Sequence, residues 1–293
     1  MTTPRLQTVA VLGAGGRMGL PMTRNLARAG LTVRAWNRTP EKADPLREDG
    51  VRVCASAAEA ADGADVVLSM LSDADAVLAA VREDGVLDGP SVWLQMSTIG
   101  VAGTDACTAL ARERGIAFVD APVLGTVQPA EAGTLVVLGS GPQAQREPLA
   151  PLLDAVGGRT LWTGEAGAGS RLKLVANAWL LAIVEGAAEA LALAEGLELD
   201  GALLLEAVGG GPLDVPYLQS KGRGMLDREF APAFTLAMAA KDAGLVDDAA
   251  GMAGLRLPML RAIRERFDEG AQTHGERDLS ATFLTSAPSP GSP

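Results

Sequence analysis

Short apolar segments alternate with helical segments over the first half of the chain, and this alternation stops near residue 165. The first segment is Thr8–Leu12, and the continuous apolar run Val66–Leu68 is typical of a strand buried on both faces. Strands that alternate with helices pair in parallel, so the pattern predicts an α/β domain with a doubly wound parallel sheet. Further strands are predicted at Leu31–Trp36, Asp65–Met70, Val92–Met96, Ile116–Asp120, Leu135–Leu138 and Thr160–Trp162, and helices near 18–29, 40–48, 73–83, 103–114 and 142–155.

The second half of the chain is helical, with no visible strand alternation. The stretch from Gly167 to Gly196 predicts one helix of roughly 30 residues, which would span about 45 Å. Its Lys173, Asn177 and Glu185 make it more polar than a membrane-spanning helix. We therefore predict an α/β domain at 1–165, an all-helical domain at 166–285 and a disordered tail at 286–293. Shorter helices are predicted at 203–208, 216–225, 233–250 and 258–268.

Charge and composition exclude several classes of partner. The 293 residues carry 36 acids against 25 bases, a net charge of −11, whereas nucleic acids and anionic membranes bind basic surfaces. The only histidine in the sequence is His274, which lies in a predicted polar loop. One histidine makes a His-based metal site or a Ser-His-Asp triad an improbable reading, so no metal is expected. Cys54 and Cys107 form no Cys-x-x-Cys pair, and Met1–Gln7 lacks the pattern of a signal peptide. We expect reduced thiols and a cytoplasmic protein.

A glycine-rich segment joins the first strand to the first helix. Strand, glycine turn and helix in this order are typical of a dinucleotide site, because free N–H groups at the helix start face the pyrophosphate. The spacing from Gly13 to Gly19 is one residue longer than G-x-G-x-x-G, and starting from Ala14 restores the spacing but loses a glycine. No Gly-Lys-Ser/Thr sequence follows, so a P-loop is not supported. The cofactor contacts predicted here are Gly13, Gly15, Gly16, Arg17 and Met18.

The end of the second strand indicates which dinucleotide binds. NAD-specific folds usually carry an acidic residue there for the ribose 2′-hydroxyl, and this chain has none. Arg38 suits a 2′-phosphate, with Asn37 and Thr39 as additional donors and Lys42 as additional charge. The sequence thus favours NADP over NAD.

Hydride transfer to or from a dinucleotide needs a group that handles the accompanying proton. Lys173 on the long helix is the candidate, because burial can lower a lysine pKa towards working pH. Asn177, four residues later, lies on the same helix face. The pair alone also fits an ordinary solvated helix face.

Several further segments recur in a fixed order along residues 7–284, and together they resemble the β-hydroxyacid dehydrogenase family. That family includes 3-hydroxyisobutyrate dehydrogenases and reductases of glyoxylate, tartronate semialdehyde and succinic semialdehyde, and imine reductases are related to it. The resemblance implies a Rossmann domain joined by the long helix to an all-α domain that forms a homodimer or homotetramer. The segments are Met18–Met22, Trp36–Thr39, Met70–Asp73, Met96–Thr98, Asp120–Val123 with Gly133–Leu135, Gly167–Lys173 with Asn177, Phe234 with Lys241–Asp242, and Gly275 with Asp278 and Ser280.

The resemblance also implies roles for individual residues. Lys173 would be the general acid/base, Asn177 would hydrogen-bond the substrate, and Asp242 would order its helix. Cofactor contacts would add Met70, Leu71, Thr98 and Lys241, and substrate contacts would come from Val123, Leu124, Gly125, Thr126 and Lys173.

Two departures from the family pattern bear on the substrate. Leu124-Gly125-Thr126 stands where the family usually has Ser-Gly-Gly, and Ala176 stands where many members have a second asparagine. We predict an NADP-dependent oxidoreductase acting on a small 3-hydroxy acid or its semialdehyde. A reductase of imines or of other atypical carbonyls on the same scaffold is the first alternative. A cofactor-binding module without catalysis is the second, and the retained Lys173 and Asn177 argue against it.

Overall fold

A six-stranded parallel sheet lies at the centre of the first half of the protein. The structure, a computed structural model, describes residues 6–287. The strands are β1 (Thr8–Leu12), β2 (Thr32–Trp36), β3 (Arg52–Val53), β4 (Val66–Ser69), β5 (Val92–Gln95) and β6 (Ala117–Asp120). Their order is β3-β2-β1-β4-β5-β6, so the direction of strand addition reverses between β1 and β4. Open α/β sheets bind ligands at this reversal, beyond the carboxyl ends of the strands.

Successive residues of β1 enter two different cores, which shows that both faces of the sheet are covered. Val9 and Val11 pack in one cluster with Met22, whereas Ala10 and Leu12 belong to another. This alternation follows from the two-residue period of a strand. The helices of this half are α1 (Gly19–Arg28), α2 (Ala57–Ala61), α3 (Ala74–Val81), α4 (Gly100–Arg114), α5 (Val127–Glu131) and α6 (Arg146–Val156).

A second, smaller sheet differs from the single parallel sheet that the sequence predicted. It contains β7 (Val123–Leu124), β8 (Leu135–Gly139) and β9 (Gly157–Trp162). β7 pairs antiparallel with β8, and β8 pairs parallel with β9. The chain leaves the large sheet at Pro122, which has no N–H group with which to extend a ladder.

The remaining elements are helical, in agreement with the sequence. They are α7 (Ala168–Gly196), α8 (Ala202–Val208), α9 (Pro216–Leu226), α10 (Leu236–Met252), α11 (Pro258–His274) and α12 (Phe283–Ser286). Phe267 and Phe283 are fully buried in their core. The chain divides into two compact units between Lys173 and Leu174, inside α7. The limit near residue 165 marks where strand alternation ends, and as a domain limit it stays a prediction.

Among the helices of residues 6–287, only α7 has the length and the apolar composition that crossing a membrane requires. Of its most apolar 18-residue window, 44% is buried inside the protein. Val184 and Leu191 are fully buried, whereas Val175 and Trp179 are exposed. Core helices pass the same test, so this composition is weak evidence for a membrane.

Several local predictions need correction. The helix predicted at 40–48 is two 3-10 segments, Pro40–Lys42 and Asp44–Asp49, each with a proline in its first turn. His274 does not lie in a loop but is the last residue of α11. The predicted tail begins too early, because Ser286 still belongs to α12; residues 288–293 of that tail lie outside the described residues.

A buried ion pair joins three segments of the second unit. Asp278 is 2% exposed, and its Oδ1 accepts a hydrogen bond from the Lys221 ammonium at 2.8 Å. Its Oδ2 accepts the backbone N–H groups of Ala233 and Phe234 at 3.1 and 3.3 Å. Burial alone would raise the pKa of Asp278, but the Lys221 hydrogen bond and charge, with donors from Ser280, outweigh burial and hold the pKa below its usual value.

We expect Lys221→Met to lower the free energy of unfolding by about 3–5 kcal/mol, because it leaves a buried carboxylate without its cation. Urea unfolding followed by circular dichroism at pH 7 measures the loss. Arg47→Met is the control: it removes an exposed ion pair with Asp44 and should cost less than about 1 kcal/mol. Equal losses in the two variants would contradict the prediction.

The same variant has a predicted pH signature. A carboxyl whose folded pKa is lowered stabilises the protein above its unfolded pKa of about 3.9, and that stabilisation disappears as the pH falls through the folded pKa. The stability difference between wild type and Lys221→Met should therefore narrow below about pH 4.

Candidate cofactor and active site

The turn after β1 depends on close backbone approaches that a Cβ atom would prevent. Gly13 has a φ of +91°, and a Cβ there would overlap the Met70 carbonyl oxygen. A Cβ on Gly19, the first residue of α1, would overlap the Gly13 carbonyl oxygen. The Gly13 N–H donates to the Trp36 carbonyl at 2.9 Å. The start of α1 is thereby held against the ends of β1, β2 and β4.

This cradle fits a pyrophosphate. It lies at the reversal of strand order, and α1, ten residues long, presents its N-terminus there. The backbone from Gly13 to Met18 would hold the phosphates, with the exposed side chain of Arg17 beside it. Gly15 permits a further approach, since its Cβ position lies 2.7 Å from the backbone carbon of Lys42.

The residues after β2 have separate tasks in the structure. Asn37 uses both ends of its amide internally: Oδ1 accepts the Gly15 N–H at 3.2 Å, and Nδ2 donates to the Thr39 carbonyl at 2.8 Å. Arg38 is exposed and forms no ion pair with any residue between 6 and 287. Asn37 therefore supports the glycine turn, and Arg38 is the side chain of this segment left for an anion.

A buried polar network supports the predicted cofactor loops after β4 and β5, and the sequence analysis missed it. The Leu71 N–H donates to the Ser97 hydroxyl at 2.8 Å, and the Gln95 amide oxygen accepts the Ser97 N–H at 2.6 Å. The Trp93 indole donates to the Ser69 hydroxyl at 3.0 Å. The signal was a polar residue ending each apolar strand, Ser69 in β4 and Gln95 in β5. Met70, Leu71 and Thr98 lie on the segments that the network fixes.

Lys173 lies against the predicted substrate loop. Its half-buried ammonium donates to the Val123 carbonyl at 2.8 Å. Leu124 and Thr126 are half-buried in the same loop, and Gly125 between them is exposed with a φ of +128°. The structure therefore brings Lys173 together with the loop that the sequence singled out.

The remaining predicted residues form a cluster within the second unit. Asn177 is 2% exposed, and its Nδ2 donates to Asp242 Oδ2 at 2.8 Å. The other Asp242 oxygen lies 3.0 Å from the Lys241 ammonium. Asp242 thus orients the Asn177 amide. Asn177 follows Lys173 by four residues on α7, so both point to one side of that helix.

Both cysteine thiols of the protein are buried. Cys107 is fully buried, and burial raises its pKa to about 12; burial also raises the pKa of Cys54. Neither thiol is therefore a thiolate nucleophile near neutral pH. No group of three or more His, Cys, Asp or Glu side chains that could hold a metal ion occurs in the described part of the chain.

Two family models match the chain, one for each half. Residues 8–164 match the NAD binding domain of 6-phosphogluconate dehydrogenase, and residues 167–284 match the NAD-binding domain of NADP-dependent 3-hydroxyisobutyrate dehydrogenase. Together with the strand order and the glycine cradle, these matches define a pyridine-nucleotide-binding oxidoreductase.

Individual relatives narrow the class. The chain is 32% identical to glyoxylate/succinic semialdehyde reductase 2 of Arabidopsis thaliana, over 96% of this chain and 80% of that protein. It is 32% identical to an NAD-dependent L-serine dehydrogenase of Pseudomonas aeruginosa, over 98% of this chain and 100% of that protein. The structure of Mycobacterium tuberculosis 3-hydroxyisobutyrate dehydrogenase with L-serine superposes with a TM-score of 0.88 at 31% identity, covering 96% and 99% of the two chains.

The chain belongs to the β-hydroxyacid dehydrogenase family, as the sequence motifs predicted. An imine reductase from Myxococcus stipitatus shares the fold alone, with 24% identity, a TM-score of 0.62 and coverage of 95% and 99% of the two chains.

Proposed function

We propose that this protein is an NADP(H)-dependent oxidoreductase of small 3-hydroxy acids or their semialdehydes, with Lys173 as general acid/base. The observation that carries the proposal is the 2.8 Å hydrogen bond from the Lys173 ammonium to the Val123 carbonyl. It holds a proton donor at the loop for which the resemblance to the family implies substrate contacts. When bound, the nicotinamide supplies or accepts the hydride.

The protein's own residues handle the proton and the orientation of the substrate. In reduction, the Lys173 ammonium donates a proton to the carbonyl oxygen as charge develops there. In oxidation, the neutral amine accepts the hydroxyl proton. Asn177, one turn later on α7, hydrogen-bonds the substrate, and Asp242 fixes the orientation of its amide.

The preference for NADP rests on charge after β2. Residues 37–40 include no acidic side chain to accept a hydrogen bond from a ribose 2′-hydroxyl, and Arg38 is exposed there. A guanidinium matches the geometry of a 2′-phosphate. Family membership alone does not decide between NAD and NADP, because the relatives include an NAD-dependent L-serine dehydrogenase.

A reductase of imines or of larger carbonyls is a second candidate, because Leu124 supplies an apolar side chain in the substrate loop. To separate the two functions, NADPH oxidation is measured with glyoxylate and succinic semialdehyde, and separately with a cyclic imine such as 1-pyrroline. We expect turnover with the acids alone. Turnover with the imine alone would reject the hydroxy acid proposal, and NADPH binding without turnover of either would favour a module without catalysis.

We expect Lys173→Ala to lower kcat by about 100-fold or more, because proton transfer in the transition state loses its donor. The dissociation constant of the Lys173→Ala variant for NADPH should differ from that of the wild type by less than about twofold. The control is Arg171→Ala, a substitution on the same helix as Lys173; it removes an exposed ion pair with Asp105 of α4 and should leave kcat unchanged. An active Lys173→Ala enzyme would remove the acid/base assignment.

We expect Arg38→Ala to weaken NADPH binding by about tenfold or more and NADH binding much less, because charge-assisted hydrogen bonds to the 2′-phosphate are lost. Fluorescence titration with each nucleotide measures both constants. Arg47→Ala, an exposed arginine paired with Asp44, controls for a general loss of positive charge. The same loss for NADPH and NADH would refute the 2′-phosphate contact.

A further inference from the structure

A buried carboxylate holds the first turn of α7. Asp120, at the end of β6, is fully buried. Its Oδ1 accepts the Ser170 hydroxyl at 2.7 Å, and its Oδ2 accepts the Ser170 backbone N–H at 2.8 Å. The Ser140 hydroxyl lies 3.2 Å from the same Oδ2 and accepts the Gly169 N–H at 3.0 Å. Two of the first four N–H groups of α7 are therefore bound within this network.

The helix start is also pressed against the ends of the strands. A Cβ on Gly169 would overlap the Leu138 carbonyl oxygen and lie 3.1 Å from that of Asp120. Asp120 and Ser140 exchange two backbone hydrogen bonds, of 2.9 and 2.7 Å, which join the ends of β6 and β8. The first turn of α7 therefore has little freedom to shift.

Each partner of the Lys173–Val123 contact lies three residues from a member of this network. Ser170 precedes Lys173 by three residues, about one helical turn. Asp120 precedes Val123 by three residues, and Pro122 between them has a fixed φ. A displacement at Asp120 would therefore move the Lys173 ammonium relative to the carbonyl that it contacts.

The hydrogen bonds around Asp120 need a carboxylate that accepts at both oxygens. Burial raises the pKa of Asp120, and the hydrogen bonds from Ser170 and Ser140 oppose that rise without cancelling it. A carboxylate accepts at both oxygens, whereas an amide in its place would accept at one and meet a donor at the other.

We propose that Asp120 and Ser170 are positioning residues that fix the Lys173 ammonium against the Val123 carbonyl. The inference rests on the proposed role of Lys173 as acid/base. Neither residue takes part in proton transfer; they act through the first turn of α7. A misplacement of about 1 Å can lower turnover about 100-fold, so a small movement of this turn is sufficient.

Two substitutions make a matched comparison. Ser170→Ala removes the 2.7 Å hydroxyl hydrogen bond to buried Asp120. Thr282→Val removes a 2.7 Å hydroxyl hydrogen bond to Glu185, a carboxylate that is 3% exposed and whose pKa burial also raises. Both changes remove a hydroxyl donor from a buried carboxylate. Ser170→Ala also removes a 3.1 Å contact with the Thr104 hydroxyl, which keeps its 2.8 Å hydrogen bond to the Gly100 carbonyl, so the general loss of stability should be of similar size in the two proteins. Only the first contact lies one turn from Lys173.

The first readout does not depend on turnover. The chain has four lysines, so the pKa of Lys173 is measurable by NMR titration of cofactor-free protein with 13C-labelled lysine, and Lys173→Arg assigns the signal. In Ser170→Ala the Val123 carbonyl would no longer be held at hydrogen-bond distance from the ammonium, which favours the neutral amine, so the pKa of Lys173 should fall. In Thr282→Val it should stay at the wild-type value. Equal pKa values in all three proteins would overturn the proposal.

The second readout is a split between kcat and cofactor binding, with succinic semialdehyde as the probe. Ser170→Ala should lower kcat about 10- to 100-fold and leave the NADPH dissociation constant within about twofold, whereas Thr282→Val should change neither. Asp120→Asn should lower kcat more than Ser170→Ala does. If Asp120→Asn does not fold, the comparison of Ser170→Ala with Thr282→Val still tests the proposal. If Lys173→Ala abolishes turnover while Ser170→Ala behaves like Thr282→Val, the positioning inference fails and the acid/base assignment stands. If Lys173→Ala remains active, the proposed function itself fails.

Discussion

The geometry at the carboxyl end of the large sheet depends on two glycines, Gly13 and Gly19, whose lack of a side chain permits close backbone contacts. Gly13 approaches the Met70 carbonyl, and Gly19 approaches the Gly13 carbonyl. These two contacts join the end of β1, the loop after β4 and the start of α1. Larger residues would separate all three, and the N–H groups at the start of α1 would no longer converge on one point. The predicted cofactor residues on these segments depend on this packing before any side chain contributes.

Buried polar side chains complete the arrangement. Gln95 and Ser97 hold the loops after β4 and β5, and Asp120 holds the start of α7. Ser97 and Asp120 each accept a backbone N–H group of another segment, and Gln95 accepts the N–H group of Ser97 and so holds that residue in place. Such groups are costly when unsatisfied, so they favour one arrangement of the chain over its alternatives. Rigid loops around a reacting centre are what hydride and proton transfer require.

The sequence predicted the large features because their patterns are long. Buried parallel strands are continuous apolar runs, and the helical period of α7 extends over 29 residues. The two-residue strands β3 and β7 are too short to show a period. The end of α11 was missed because Gly270 resembles a helix stop. Instead it allows close packing, since its Cβ position lies 3.0 Å from Leu236.

Residues of the candidate site that belong to a local sequence motif could be predicted, whereas hydrogen bonds between residues far apart in the sequence could not. The glycine turn and the position of Lys173 on a long helix were predicted from the sequence, and the structure has both; the catalytic role of Lys173 stays a prediction. The acceptor of the Lys173 hydrogen bond was not predicted, because it is a backbone carbonyl 50 residues away. Ser140 and Ser170 carry no local signal, since their common partner lies 20 and 50 residues earlier in the chain.

The amide of Asn37 has a consequence for how cofactor preference can evolve. One end of it accepts the Gly15 N–H and the other donates to the Thr39 carbonyl. An acidic residue at this position, the usual route towards NAD, keeps the first bond and replaces the second with repulsion between two acceptors. Any nucleotide selectivity that residue 37 sets would thus be coupled to the shape of the glycine turn, because the same side chain holds both. An acidic substitution at this position would therefore change the backbone of residues 37–39 together with the charge that a nucleotide meets.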